Sequence, residues 1–163
     1  MKLRLLFLSS LVVALAACGE KAVDESTSAV PETAVETSAE PVVGLARSAS
    51  VSGASVFFIT PDDGSAVGNP IHVEFGIAGM EVVKAGDNQP NSGHHHLLID
   101  TGLPDVNSPI PADDHHIHFG DGSTVTDISL APGEHTLQML LGDYLHIPHE
   151  PALVSEVITI TVE

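Results

Sequence analysis

Ile71-His72-Val73-Glu74-Phe75-Gly76-Ile77 sets an apolar side chain at every second position, and this run decides the fold class. Successive side chains of an extended chain point to opposite faces. Ile71, Val73, Phe75 and Ile77 therefore share one face, as in a half-buried strand. Upstream, Ser55-Val56-Phe57-Phe58-Ile59-Thr60 is a second β-rich run, closed by the turn Pro61-Asp62-Asp63-Gly64. Downstream, similar runs lie at 95–100, 117–119, 123–129, 135–141 and 155–162, the last reading VITITV with the same period. Turn residues such as Ala131-Pro132-Gly133 punctuate them, and no stretch keeps an apolar period of 3.6. About seven half-apolar strands need facing sheets to bury their apolar sides. The predicted fold is thus all-β, an immunoglobulin-like antiparallel β-sandwich spanning 53–163, with a small closed barrel as the alternative.

The first third of the chain reads differently. Lys2 and Arg4 precede an apolar run from Leu5 to Ala17, too short for a spanning helix and patterned as a signal peptide over 1–17. Leu15-Ala16-Ala17-Cys18 then resembles a bacterial lipobox, which implies cleavage and acylation at Cys18. Gly19 after the cysteine resembles the sorting pattern of outer-membrane lipoproteins. The resemblance implies a lipid-anchored protein on the periplasmic side of the cell envelope. Cys18 is the only cysteine, so no intramolecular disulfide supports the fold. Residues 18–52 are rich in Ala, Ser, Thr, Glu and Pro and carry no sustained apolar pattern. Such composition reads as a disordered, flexible linker. Chain statistics of about 5–6 Å times the square root of length give it a reach of roughly 30 Å.

The net charge of −17 argues against nucleic acid and other polyanions as partners. The partners that remain are the membrane, through the lipid, and a protein of the envelope.

Histidine carries the chemistry. All ten histidines lie between His72 and His149, and most fall in three groups: His94-His95-His96, His115-His116-Ile117-His118 and His146-Ile147-Pro148-His149. Strand alternation puts His95 with Leu97 and Ile99, facing inward, and leaves His94 and His96 on the other face with Leu98 and Asp100. It likewise separates His115, Ile117 and Phe119 from His116 and His118. Each group thus offers one His-x-His pair, and two such pairs on neighbouring strands can supply the nitrogen ligands of copper or zinc. The candidate metal ligands are His94, His96, His116, His118, His146 and His149, with Asp100, Asp143 and Glu150 as carboxylates that can orient the imidazoles. Gly93 and Gly120 permit close backbone approach beside two of the groups. His72 and His135 are assigned to the fold, and Met80 and Met139 to the core.

Three blocks carry a family resemblance: GHHHLLID at 93–100, HHIHFGDG at 115–122 and PGEHTLQMLLGDYLHIPHEP at 132–151, in order and preceded by VFFITPDDGSAVGNPIHVEFGIAGM from Val56. Together they resemble DUF4399, a family of bacterial periplasmic domains, over almost the whole segment from Val56 to Val162. The chain departs from the family pattern at Gly122-Ser123-Thr124-Val125, where a Gly-Gln-Thr-Glu-like segment is usual. The resemblance brings no activity with it. No G-x-S-x-G elbow or H-E-x-x-H helix signals a hydrolase. The expected function is a membrane-tethered binding module that takes a transition metal for buffering or delivery. The alternatives are a structural or protein-interaction module whose histidine network only organises loops, and a metal-dependent enzyme.

Overall fold

The structure, a computed structural model, describes residues 45–163. The signal peptide expected at 1–17, Cys18 and the linker as far as Gly44 lie outside the described residues. The elements are β1 (Ser55–Thr60), β2 (Ala66–Val67), β3 (Ile71–Ala78), β4 (Glu81–Val82), β5 (Ser92–Ile99), β6 (His116–His118), β7 (Val125–Ile128), β8 (Gly133–Gly142) and β9 (Ile158–Val162). They form a three-stranded sheet, β1-β3-β7, and a six-stranded sheet ordered β2-β9-β8-β5-β4, with β6 also paired to β5.

Two facing sheets of this order are a β-sandwich. β1, β3 and β7 take the places of strands A, B and E of an immunoglobulin-like domain, and β5, β8 and β9 those of C, F and G. The long pairings are antiparallel, whereas the two-residue strands β2 and β4 run parallel to β9 and β5. Neither was visible in the sequence, because two residues cannot show a period.

The alternation of β3 becomes the core. Ile71, Val73 and Phe75 are buried, and they pack with Leu97, Ile99, Leu137, Met139, Leu141, Ile158 and Ile160 of the opposite sheet. Burial of this apolar set is the main stabilising term, at about 25 cal/mol per Å² removed from water.

β5 breaks the half-buried pattern, since all eight of its residues are buried. Its inner face joins the core through His95, Leu97 and Ile99. Its outer face carries His94, His96 and Leu98, and Leu98 packs with Leu140 and Ile110 in a second apolar cluster. Ile110 belongs to the long connection from β5 to β6, and its N–H donates to His146 O in the connection after β8. Two loops therefore roof the outer face of β5 and take its histidines out of water.

Among the described residues, hydrogen bonds begin at Arg47, inside the stretch 18–52 expected as linker. Ala49 bridges to Glu150, and Ser50 N–H donates to Glu150 O.

Candidate metal centre

β5 pairs with β6 in the register His96 to His118, Leu97 to Ile117 and Leu98 to His116. This register puts His118 directly beside His96 on the roofed face, with His94 two residues along β5. One ligand nitrogen from each of His94, His96 and His118 lies within 4.8 Å of the others. His146 closes the group from the loop after β8. Its ring centre is 4.8 Å from that of His94, 4.7 Å from His118 and 6.0 Å from His96. The remaining separations are 4.8 Å for His94 and His96, 4.9 Å for His94 and His118, and 5.1 Å for His96 and His118.

These distances have a chemical meaning. Four imidazoles bound tetrahedrally at 2.0–2.1 Å to one ion have ring centres about 5 Å apart. Five of the six separations match that spacing and His96 to His146, at 6.0 Å, is the wide one, while the ligand nitrogens that already converge are those of His94, His96 and His118.

The electrostatics agree. Neither ring nitrogen of His94 or of His96 has a hydrogen-bond partner among the described residues, and both side chains are fully buried. Buried polar nitrogens without partners are rare and costly. Burial, aided by the neighbouring charges of His146 and His118, depresses the His94 pKa to about 4. Burial and the charges of His94, His118 and His146 take His96 to about 2. His118 is lowered by burial and by His146, against an opposing pull from Asp121. Metal binding needs imidazole unprotonated, and these rings are held so without a proton to displace at neutral pH.

Backbone closeness makes room for the rings. A Cβ on Gly142, the β8 partner of His94, would stand 2.7 Å from His96 Cε1, and one on Gly120 would collide with the His118 ring. Either position therefore admits only glycine while the rings keep their places.

The other expected residues lie elsewhere. His116 shares the face of His118 but sits opposite Leu98, with its Nδ1 2.8 Å from Asp113 Oδ1. His149 is buried away from the cluster, where its Nε2 is 3.1 Å from Ser92 O and its Nδ1 3.4 Å from Leu141 O. Asp100 accepts from His135 at 2.6 Å and from Thr136 N–H at 2.8 Å. Glu150 pairs with Arg47. Asp143 lies near enough to His94 to raise its pKa slightly, but its oxygens accept from the loop itself, Leu145 N–H and Ile147 N–H, and from the Ser48 hydroxyl. Ser48 and Arg47 were missed in the sequence, where their polar surroundings carry no ligand-like signal.

A family model for a domain of unknown function, DUF4399, matches residues 73–163. The chain belongs to the DUF4399 family. The DUF4399 match starts within β3 and contains His94, His96, His118 and His146, while β1 and residues 47–50 precede it. No curated protein and no solved structure matches the chain.

Proposed function

We propose that this DUF4399 domain binds one transition-metal ion, copper or zinc, through His94, His96, His118 and His146. The observation that carries this reading is the convergence of two fully buried imidazoles, all four of their nitrogens unpartnered among the described residues, on two more imidazoles at ligand spacing. A histidine network serving only to organise loops would satisfy those nitrogens with hydrogen bonds, as His116 and His135 do. Four protein donors would also fill a tetrahedral set and leave no position for substrate. Holding and handing on an ion suits the site better than catalysis does. The all-imidazole donor set suits zinc and copper and lacks the thiolate that would favour copper(I).

The sequence supports a place for this activity: acylation at Cys18 would anchor the domain in the outer membrane, on the periplasmic side of the envelope. Tethering would raise its effective concentration for an envelope protein that supplies or receives the ion.

The test is purification without a polyhistidine tag, measurement of bound metal, and thermal melting with zinc and copper(II). Either ion should raise the melting temperature of the wild-type protein and leave the His94→Ala/His118→Ala variant unmoved. Equal responses of the two proteins would end the metal reading. Globomycin-sensitive processing and loss of membrane association in Cys18→Ala would test the tether.

A further inference from the structure

Of the four donors, three stand on strands and one does not. His146 lies in the connection after β8, and it has φ 66, a left-handed conformation that a residue with a Cβ adopts only when its surroundings enforce it. What enforces it is Asp143. The His146 N–H donates to Asp143 O at 2.9 Å and the Asp143 N–H to Ile147 O at 2.9 Å, while Asp143 Oδ1 accepts from Leu145 N–H at 2.9 Å and Ile147 N–H at 3.0 Å. The loop is thus wound around one buried carboxylate.

That carboxylate is held in turn by the segment just before the sandwich. Ser48 donates its hydroxyl to Asp143 Oδ2 at 2.7 Å. Glu150 N–H donates to Ser48 O at 2.9 Å, and Ser50 donates to Glu150 O and Pro151 O at 3.0 and 2.9 Å. Arg47 donates from Nε to Pro148 O at 2.9 Å and from its guanidinium to His149 O, and pairs with Glu150. Residues 47–50 therefore fasten both ends of the stretch that bears His146. Nearly all of these bonds are polar, and little apolar burial backs them. Such a segment can open locally without unfolding the sandwich.

We infer that residues 47–50 form a clasp that sets the affinity of the metal site by holding His146 against His94 and His118. The inference rests on the metal-binding reading above. With the clasp closed the ion has four imidazoles; with it open, the loop relaxes and three remain. Arg47 and Ser48 are positioning residues, acting on the ion only through Asp143 and His146. The clasp lies within the stretch 18–52 expected as linker, so a load on that stretch would reach the ion through Asp143 and His146.

The experiment uses the full chain with Arg47→Ala/Ser48→Ala, and Ser48→Ala alone in case the double variant melts at the assay temperature. Zinc alone and copper(II) alone are titrated against a competing chelator, and amide exchange at Leu145 and Ile147 is followed without metal. The clasp variants should bind roughly 10–100-fold more weakly, as loss of ligand-orienting partners commonly gives. Their copper(II) EPR spectrum should match that of His146→Ala, exchange at both amides should speed up, and Ser48→Thr should restore binding. In a His146→Ala background the clasp substitutions should cost nothing more. Wild-type affinity in the clasp variants, or an equal loss without His146, overturns the clasp and leaves the metal site standing. If the wild-type protein binds neither ion, the metal site fails. Unchanged amide exchange would then reject the clasp as well, whereas faster exchange would leave it as a holder of the loop.

Discussion

His96 on β5 and His118 on β6 are direct cross-strand partners, with ring centres 5.1 Å apart. Pairing of a buried imidazole with an exposed one places the proposed ion at the rim of the domain, where it can exchange with solvent. His116, two residues before His118, is turned to Asp113. His96→Ala and His118→Ala should each remove most of the zinc affinity in calorimetric titration, while His116→Ala should leave it close to wild type, because the His116 ring is held by Asp113 and not by the cluster. A loss in His116→Ala equal to that in His118→Ala would redraw the ligand set.

His95 is a different case from its neighbours. It points into the core, packs edge-on against Phe75 at 4.9 Å and has neither ring nitrogen hydrogen-bonded among the described residues. Replacing a buried unpaired polar group by an apolar one of similar volume is neutral to stabilising, because the desolvation cost of about 1–3 kcal/mol disappears. His95→Leu should therefore unfold at equal or higher denaturant concentration, by up to about 2 kcal/mol, with zinc affinity unchanged. A clear loss of stability would show that the ring makes a contact that leucine cannot replace.

Acid should destabilise the metal-free domain earlier than carboxylate titration alone would. Burial holds His94 and His95 at about 4 and His96 at about 2, against 6.5 for the free side chain. Between those values the unfolded chain binds protons that the folded chain refuses, so stability falls as pH falls. The decline should begin near pH 6.5 and steepen below it, each such histidine adding up to about 1.4 kcal/mol per pH unit. Denaturant midpoints measured from pH 7.5 to 4.5 would show it, and His95→Leu should flatten the slope. A flat profile over that range would mean that these rings are more accessible to protons than their burial implies.

How far the sequence reaches differs from feature to feature. β1 and β3 were legible because β-rich composition in the first and alternation in the second are local properties, and alternation also sorted His95 from His94 and His96. The burial of His94 and His96 was not, since it comes from Ile110 and the 143–150 connection folding over an outer strand face, which no local period encodes. Nor could spacing tell His118 from His116: both lie on one face, and the β5 to β6 register alone decides which meets His96. The docking of Arg47 and Ser48 was hidden because it uses hydrogen bonds to backbone and to one carboxylate. A polar, apolar-poor stretch reads as linker whether or not it finds such partners.

Asp100 stands in a strap with His135. His135 Nδ1 is 2.6 Å from Asp100 Oδ2, and its Nε2 is 2.9 Å from Ala131 O. Both partners accept, so the doubly protonated ring fits best, and the hydrogen bonds to Asp100 and Ala131 raise the His135 pKa above 6.5. Burial pushes the Asp100 carboxyl up, but hydrogen bonds from His135 and Thr136 N–H outweigh it and hold the group below 3.8. The raised histidine contributes stability that is complete below pH 6.5 and lost as pH climbs through its folded pKa. The depressed carboxyl contributes stability present above pH 3.8 and lost as pH falls through its own. The pair is therefore worth most between about pH 4 and 6.5. Asp100→Asn keeps the acceptor for Thr136 N–H and tolerates the φ of 53 at this position. It should destabilise the domain by no more than about 1 kcal/mol, the scale of a partly exposed pair. Midpoints of wild type and variant should differ most near pH 5.5 and converge above pH 8. A difference that grows with pH would assign the contribution of Asp100 to its bond with Thr136 alone.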